Sequence, residues 1–336
     1  MFNKSQLSIT QAKLFAYQLP LQTPMRFKTA HLNHREGLIL QLQDSNNDQY
    51  YSEIAPLPGF SQERLSQVKT EIIQLLSTNL TQVTSYKSGF KSVQFALDCF
   101  FPYCPKQEQQ QLNNMENVPL LQGDCKAITQ QYQSLAYPNL IKLKVARNTV
   151  DSDILVFQQL CQLNPLIKIR CDANQAWNKQ QANLFFSAIE TQKLDYIEEP
   201  TCDHQVNLQL AEKYQIYLGL DETLQQTDFH YWHHPFIKAF IIKPSLVGSK
   251  QVIDQYITLA KQHHILVSFS SSFESVVGLQ QLKNLANHYL GQPDSQSLVI
   301  SLGIDTLKYF KGNLLKNEDK IQQDCKQLEL LWIGNR

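Results

Sequence analysis

The chain has 336 residues, 43% of them hydrophobic and 18% charged, so it can bury a core the size of one barrel or of two smaller domains. Its 30 basic and 30 acidic residues cancel, which removes the electrostatic case for nucleic acid or an anionic membrane surface. The N-terminus lacks the apolar stretch of a signal peptide, and no apolar run approaches the roughly 18 residues of a membrane span; the expectation is a cytoplasmic protein.

In chain order, Gly37-Leu-Ile-Leu-Gln-Leu-Gln43 and Gln49-Tyr-Tyr-Ser-Glu-Ile-Ala55 read as two strands joined by the polar turn 44–48. Two prolines and a glycine make 55–61 an irregular loop. Ser61 is the predicted N-cap of a helix that places Leu65, Val68, Ile72 and Leu75 or Leu76 on one face. Residues 92–101 read as a helix leading out of this region, and the Gln/Asn-rich stretch 106–117 reads as a solvated connection. Strands followed by helices predict an α+β capping domain over 1–98, with about 310–336 packing back on it.

From Val118 the pattern becomes rhythmic. Short apolar segments recur at 118–121, 140–145, 166–171, 194–197, 216–220, 239–242, 265–269 and 298–302, with helical segments such as 152–163, 179–192 and 251–262 between them. Eight strands alternating with helices are what a TIM-type (β/α)7β barrel requires, here over 99–309. The competing arrangement is an open doubly wound sheet, which leaves the strand ends unexplained.

Lys142 and Lys144 lie two apart in Leu140–Val145 and so point to one strand face, opposite Ile141, Leu143 and Val145. An inward lysine pair is costly unless anions face it. Lys144 closes its strand, and Asp172, Glu198, Asp221 and Lys243 close the following ones at intervals of 22 to 28 residues. In a barrel all five gather at the C-terminal mouth, where active sites of this fold lie. The bland alternative is that acids after strands merely cap the next helices. Three carboxylates without histidine or cysteine make an all-oxygen site, suited to Mg²⁺ first and Mn²⁺ second. Flanking lysines suggest proton transfer at carbon, with Lys142 or the metal as the cation that lowers the pKa of Lys144. A Schiff-base lysine is the competing chemistry, and it needs no trio of carboxylates.

Little else carries chemistry. The seven cysteines are odd in number and show no C-x-x-C spacing, which suits reduced thiols rather than disulfides or zinc. His233-His234 and His263-His264 are adjacent pairs whose members point apart, so neither reads as a metal site, and there is no Walker or G-x-G-x-x-G loop. With no exposed apolar helix in the pattern, a monomer is expected.

The residues as a set resemble the enolase superfamily, in its muconate-lactonizing branch, and more closely the o-succinylbenzoate synthase family in its gamma-proteobacterial form. The resemblance is carried by Glu53-Ile-Ala-Pro-Leu-Pro-Gly-Phe-Ser-Gln-Glu63, Lys142-Leu-Lys144, Arg170-Cys-Asp-Ala-Asn-Gln-Ala-Trp177 and Ile197-Glu-Glu-Pro200. It continues through Asp221-Glu-Thr, Ile242-Lys-Pro-Ser-Leu-Val-Gly-Ser249, Ser270-Ser-Ser-Phe-Glu-Ser275 and Gly303-Ile-Asp-Thr306. It implies Mg²⁺-dependent dehydration of 2-succinyl-6-hydroxy-2,4-cyclohexadiene-1-carboxylate to 2-succinylbenzoate in menaquinone biosynthesis. Asp172, Glu198 and Asp221 would hold the metal, Lys144 would act as base and Lys243 would stay cationic across the ring. Arg170, Asn174, Glu199 and Glu222 are implied as supporting residues, and Ser270, Ser271 and Gly303 as contacts to the succinyl tail. Loops at 20–34 and 55–61 are expected to cover the mouth. Cys171 has the opposite parity to its neighbours and is expected to pack. Sister activities of the superfamily (N-acylamino-acid racemase, dipeptide epimerase, cycloisomerase) share the lysines and metal. A binding protein on a degenerate barrel is the non-enzymatic alternative; it predicts a lost lysine or ligand, and none is missing.

Overall fold

The structure is a computed structural model that describes residues 7–27, 30–78, 80–102, 118–292, 295–312, 314–316, 320–321 and 328–335. The predicted connection at 106–117 lies outside the described residues.

The N-terminal part is built on an antiparallel sheet of β1 (Ile9–Arg26), β2 (His31–Asp44), β3 (Gln49–Ile54) and β4 (Phe101–Pro102). The hairpin β2–β3 follows from alternation, and Asp44 closes its turn by accepting from the Asn46 and Asp48 N–H groups. One face buries Leu38, Leu40, Leu42 and Ile54 against Val68, Ile72, Leu75 and Leu76 of the helix Leu65–Thr78. That helix starts at Leu65, so the expected cap is corrected: Ser61 Oγ instead accepts from the Leu57 N–H at 2.8 Å and closes the 57–61 turn. The sheet runs on to Pro102, past residue 98, because Phe101 and Pro102 pair with Tyr51 and Tyr50. The predicted helix at 92–101 spans Lys91–Asp98.

The sequence pattern missed β1. Pro20 and Pro24 read as loop residues, yet the strand carries them where the register with β2 shifts, between Pro20 and Met25. The expected 20–34 loop is therefore corrected to the far end of the β1–β2 ribbon, turned by the Phe27 N–H to Ala30 carbonyl bond. The C-terminal strand, which follows the short pair β13 (Leu315–Lys316) and β14 (Lys320–Ile321), is β15 (Leu328–Asn335); it pairs antiparallel with β1 and covers its open edge.

The second part is an eight-stranded parallel sheet in sequential order: β5 (Leu120–Leu121), β6 (Leu140–Lys144), β7 (Lys168–Asp172), β8 (Leu194–Glu198), β9 (Leu218–Leu220), β10 (Ile237–Ile242), β11 (Leu266–Ser270) and β12 (Ile300–Gly303). Its ends approach each other: the Leu120 N–H donates to Asp305 just past β12, and Arg170 on β7 reaches across the interior to Ser301 on β12. Outward residues Ile141, Leu143, Ile169, Cys171 and Ile197 are buried beneath the surrounding helices, so Cys171 packs as its parity requires. The connection from β9 to β10 differs from the ideal barrel. Its described residues form only the 3₁₀ turn Glu222–Gln225 and irregular chain, with no α-helix. Among the described residues no helix is long and apolar enough to cross a membrane.

Candidate active site

The strand ends meet because the register is nearly level across three strands. Lys144 pairs with Asp172, and Asp172 with Glu198. Glu198 then lies beside Gly219, so Asp221 stands two residues higher at the rim, and Lys243 follows just past the end of β10. In a closed ring of eight, β6 and β10 are four strands apart. Lys144 and Lys243 therefore face each other across the mouth, with the three carboxylates at the ends of β7, β8 and β9 between them. The acids are not helix caps: Asp124, Thr149, Asn178, Asp203, Ser249 and Ser275 accept the first-turn N–H groups of six barrel helices.

Asp172, Glu198 and Asp221 are all buried, and one oxygen from each lies within 4.8 Å of the others. Lys142 Nζ bridges Asp172 Oδ2 at 2.8 Å and Glu198 Oε2 at 2.5 Å. Lys144 Nζ donates to Asp172 Oδ2 at 2.6 Å and to Asn174 Oδ1 at 2.7 Å, while Lys243 donates to Asp221. Three lysine side chains thus face three carboxylates in a largely buried space.

The environment separates the lysines. Burial pushes Lys144 below the usual lysine value, and the ammonium groups of Lys142 and Lys243 push the same way against Asp172. Burial also acts on Lys142, but Asp172, Glu198 and Asp221 outweigh it and hold that group well above the ordinary range. Lys243 is likewise raised, since Asp221 and Glu222 overcome its desolvation. Burial lifts Glu198 to about 8, with Asp172 and Asp221 adding to the rise against Lys142. Asp172 is held well below the carboxylate range because the three lysines overcome its burial. One lysine is therefore pushed toward its neutral form while two stay charged.

The supporting residues fall into two groups. Asn174 touches the site: its Oδ1 accepts from Lys144, and its Nδ2 donates to Glu222 Oε1 at 3.0 Å. Glu199 turns away from the mouth and accepts from the Asp221 and Thr223 N–H groups. Arg170 lies one layer deeper in the barrel, bound to Asp195 at 2.8 Å and stacked over Tyr196. Ser270, Ser271 and Gly303 line a cavity of about 100 Å³ together with the three lysines, Asp172 and Asn174. A larger groove of about 930 Å³ on the flank, along residues 88–94 and 247–259, holds none of the strand-end lysines or carboxylates.

Sequence reasoning expected cover from the loops at 20–34 and 55–61 without singling out its residues, and it missed other participants. Phe27, Phe60 and Phe273 roof the cavity, with Phe27 packed against Phe60 at 5.1 Å and Phe273 at 6.0 Å. Glu274 accepts from Ser245 Oγ, Ser271 Oγ and the Ser272 N–H, and so orients the serine loop. Arg147 lines the cavity three residues beyond Lys144. Only its position after a strand end was available as a signal.

The donor set fits a hard divalent cation: three carboxylates on adjacent strands, all oxygen, with a lysine ammonium already lodged between two of them. Such a cation would oppose both the burial and the neighbouring carboxylates that together raise Glu198 to about 8.

Comparison with known proteins agrees with this architecture. Residues 9–101 match the family described as MenC, N-terminal domain, and residues 126–290 match Enolase C-terminal domain-like. The o-succinylbenzoate synthase of Pasteurella multocida is 31% identical over 293 residues, covering 84% of this chain and 86% of that protein. That of Edwardsiella ictaluri is 30% identical, covering 91% and 93%. Among solved structures, o-succinylbenzoate synthase from Thermosynechococcus elongatus, complexed with Mg in the active site, has a TM-score of 0.70 at 22% identity and covers 91% of this chain and 96% of its own. A dipeptide epimerase from Enterococcus faecalis, complexed with Mg and a dipeptide, reaches 0.72 at 15% identity and covers 98% of both chains. These likenesses show the fold. An antiparallel capping sheet on a parallel (β/α) barrel is the fold that these matches share, that of the enolase superfamily. Within it, the chain belongs to the o-succinylbenzoate synthase family.

Proposed function

We propose that the protein dehydrates 2-succinyl-6-hydroxy-2,4-cyclohexadiene-1-carboxylate to 2-succinylbenzoate, a step of menaquinone biosynthesis. The observation that carries this is the pair Lys144 and Lys243 facing each other across three buried carboxylates, in a chain 31% identical to a named synthase. Asp172, Glu198 and Asp221 would hold Mg²⁺, with Mn²⁺ as the alternative ion. Bound there, the cation supplies positive charge beside the substrate's ring carboxylate and so acidifies the neighbouring C–H.

Lys144, in its neutral form and oriented by Asn174, takes that proton. The C–H electron pair becomes ring π density, the C–O bond to the hydroxyl breaks, and the hydroxyl leaves with the proton that Lys144 had gained, as water. Lys243 remains an ammonium on the far side and stabilises the negative charge that develops in the ring. Lys142 stays charged and helps keep Lys144 a usable base. Phe27, Phe60 and Phe273 exclude water above the ring. Aromatisation drives the elimination, so the protein's main task is to acidify one bond.

The test is to follow loss of the cyclohexadiene spectroscopically with Mg²⁺ present. Turnover is expected from the wild type, and Lys144→Ala and Lys243→Ala should each lower kcat by about 10²–10⁴-fold. A metal-loaded wild type without turnover sinks the assignment, and full activity in Lys144→Ala sinks the mechanism. A parallel racemisation assay on N-succinyl amino acids reports the sister activity.

A further inference from the structure

Given that function, the substrate is a dianion. One carboxylate sits on the ring beside the reacting carbon, and the other ends the succinyl chain. The cavity at the lysines measures only about 100 Å³, below the roughly 300 Å³ or more that sites for such ligands offer. The succinyl chain therefore has to extend beyond it. The adjoining cleft, of about 570 Å³, shares two lining residues with the cavity, Gln122 and Arg147, and is otherwise lined by Thr23, Gly123, Gln131, Asn148, Lys308 and Tyr309.

We propose that Arg147 receives the carboxylate of the succinyl chain and that this cleft is the tail subsite. Each lysine in the cavity already faces a carboxylate. Lys308, the other cation of the cleft, is engaged by Asp305 at 2.5 Å and by the Leu120 carbonyl. Among the described residues no hydrogen bond or ion pair holds the Arg147 guanidinium. Ser270 and Ser271 offer only neutral hydroxyls, and Ser271 Oγ already serves Glu274 and Thr306.

The residues on either side of Arg147 are tied down. The Ala146 N–H donates to Asp153 Oδ2 at 2.8 Å, and Asn148 Nδ2 donates to the Gly123 carbonyl at 3.3 Å. Arg147 is thus presented from a fixed loop at the junction of the two spaces, three residues from the base. A guanidinium there matches a carboxylate by both charge and shape.

The test uses the Mg²⁺-loaded full-length protein, Arg147→Gln and Arg147→Lys. Steady-state kinetics are combined with calorimetric binding of 2-succinylbenzoate and of 2-butanoylbenzoate, whose tail ends in a methyl group. Arg147→Gln is expected to raise KM and the Kd for 2-succinylbenzoate by about 10- to 100-fold while kcat stays within about threefold. Arg147→Lys should recover most of the loss, and 2-butanoylbenzoate should bind wild type and Arg147→Gln alike. An active wild type paired with an unchanged KM in Arg147→Gln overturns this inference and leaves the function standing. An equal loss of affinity for both ligands overturns it as well, since that marks a general distortion. A wild type that neither turns over substrate nor binds product removes the function, and this subsite with it.

Discussion

Glu199 follows Glu198 with a φ of +38°, a left-handed backbone that turns its side chain away from the mouth. There its Oε1 accepts from the Asp221 N–H at 3.0 Å and from the Thr223 N–H at 3.1 Å, fixing the turn that aims the Asp221 carboxylate. Its removal should therefore act through the metal proposed for that carboxylate. Glu199→Ala is expected to weaken divalent-cation binding by about 10- to 100-fold, measured by Mg²⁺ titration calorimetry, while Glu199→Gln keeps an acceptor and most of the affinity. Unchanged affinity in the alanine variant would refute this role. At the residue scale the strand-end chemistry was legible because parity and spacing are local. The part played by Arg147 was not, since an arginine after a strand has no signature until a cleft forms beside it.

The loop leaving β6 shows what one element demands of the next. Asp153, in the first turn of the helix Val150–Leu163, is buried and accepts from the Ala146 N–H, whose residue has a φ of +60°. Burial raises the Asp153 pKa to about 6, and the Ala146 bond only partly opposes it. A carboxylate raised in the folded state binds more protons there than in the unfolded chain. Its contribution to stability is thus present below the unfolded value near pH 4 and is lost as pH rises through 6. Asp153→Asn keeps an acceptor for Ala146 without the buried charge. It is expected to gain about 1–2 kcal/mol at pH 7 and nothing at pH 4; urea denaturation at the two pH values checks this, and a pH-independent difference would contradict it. Short apolar strands between helices were readable from alternation, whereas β1 was not. Its prolines argue against a strand, and only the register shift beside β2 accommodates them.

Across the whole molecule, Arg35 joins the two parts. It is 2% exposed and donates to the carbonyls of Ala55, Glu36 and Pro56 in the N-terminal part and of Phe273 in the barrel's serine loop. Nearby, Glu53 accepts from the Ser275 and Gly278 N–H groups at the start of the helix Val276–Leu290 and from Tyr17. These contacts set the roof of phenylalanines over the lysines. Arg35→Met leaves several buried carbonyls without a donor. It is expected to cost roughly 3 kcal/mol or more and to lower Tm in calorimetry, with Arg35→Lys intermediate. A Tm equal to wild type would remove Arg35 as the clasp.

The sequence by itself determined which face of each strand bears charge and that two lysines and three carboxylates end successive strands. A period of two and the spacing of strands are properties of neighbouring residues. Tertiary structure alone decided the rest: which arginine faces the second cavity, which phenylalanines roof the lysines, and how β15 covers β1. Those outcomes depend on burial and on distances between groups far apart in the chain, and local pattern carries no information about either.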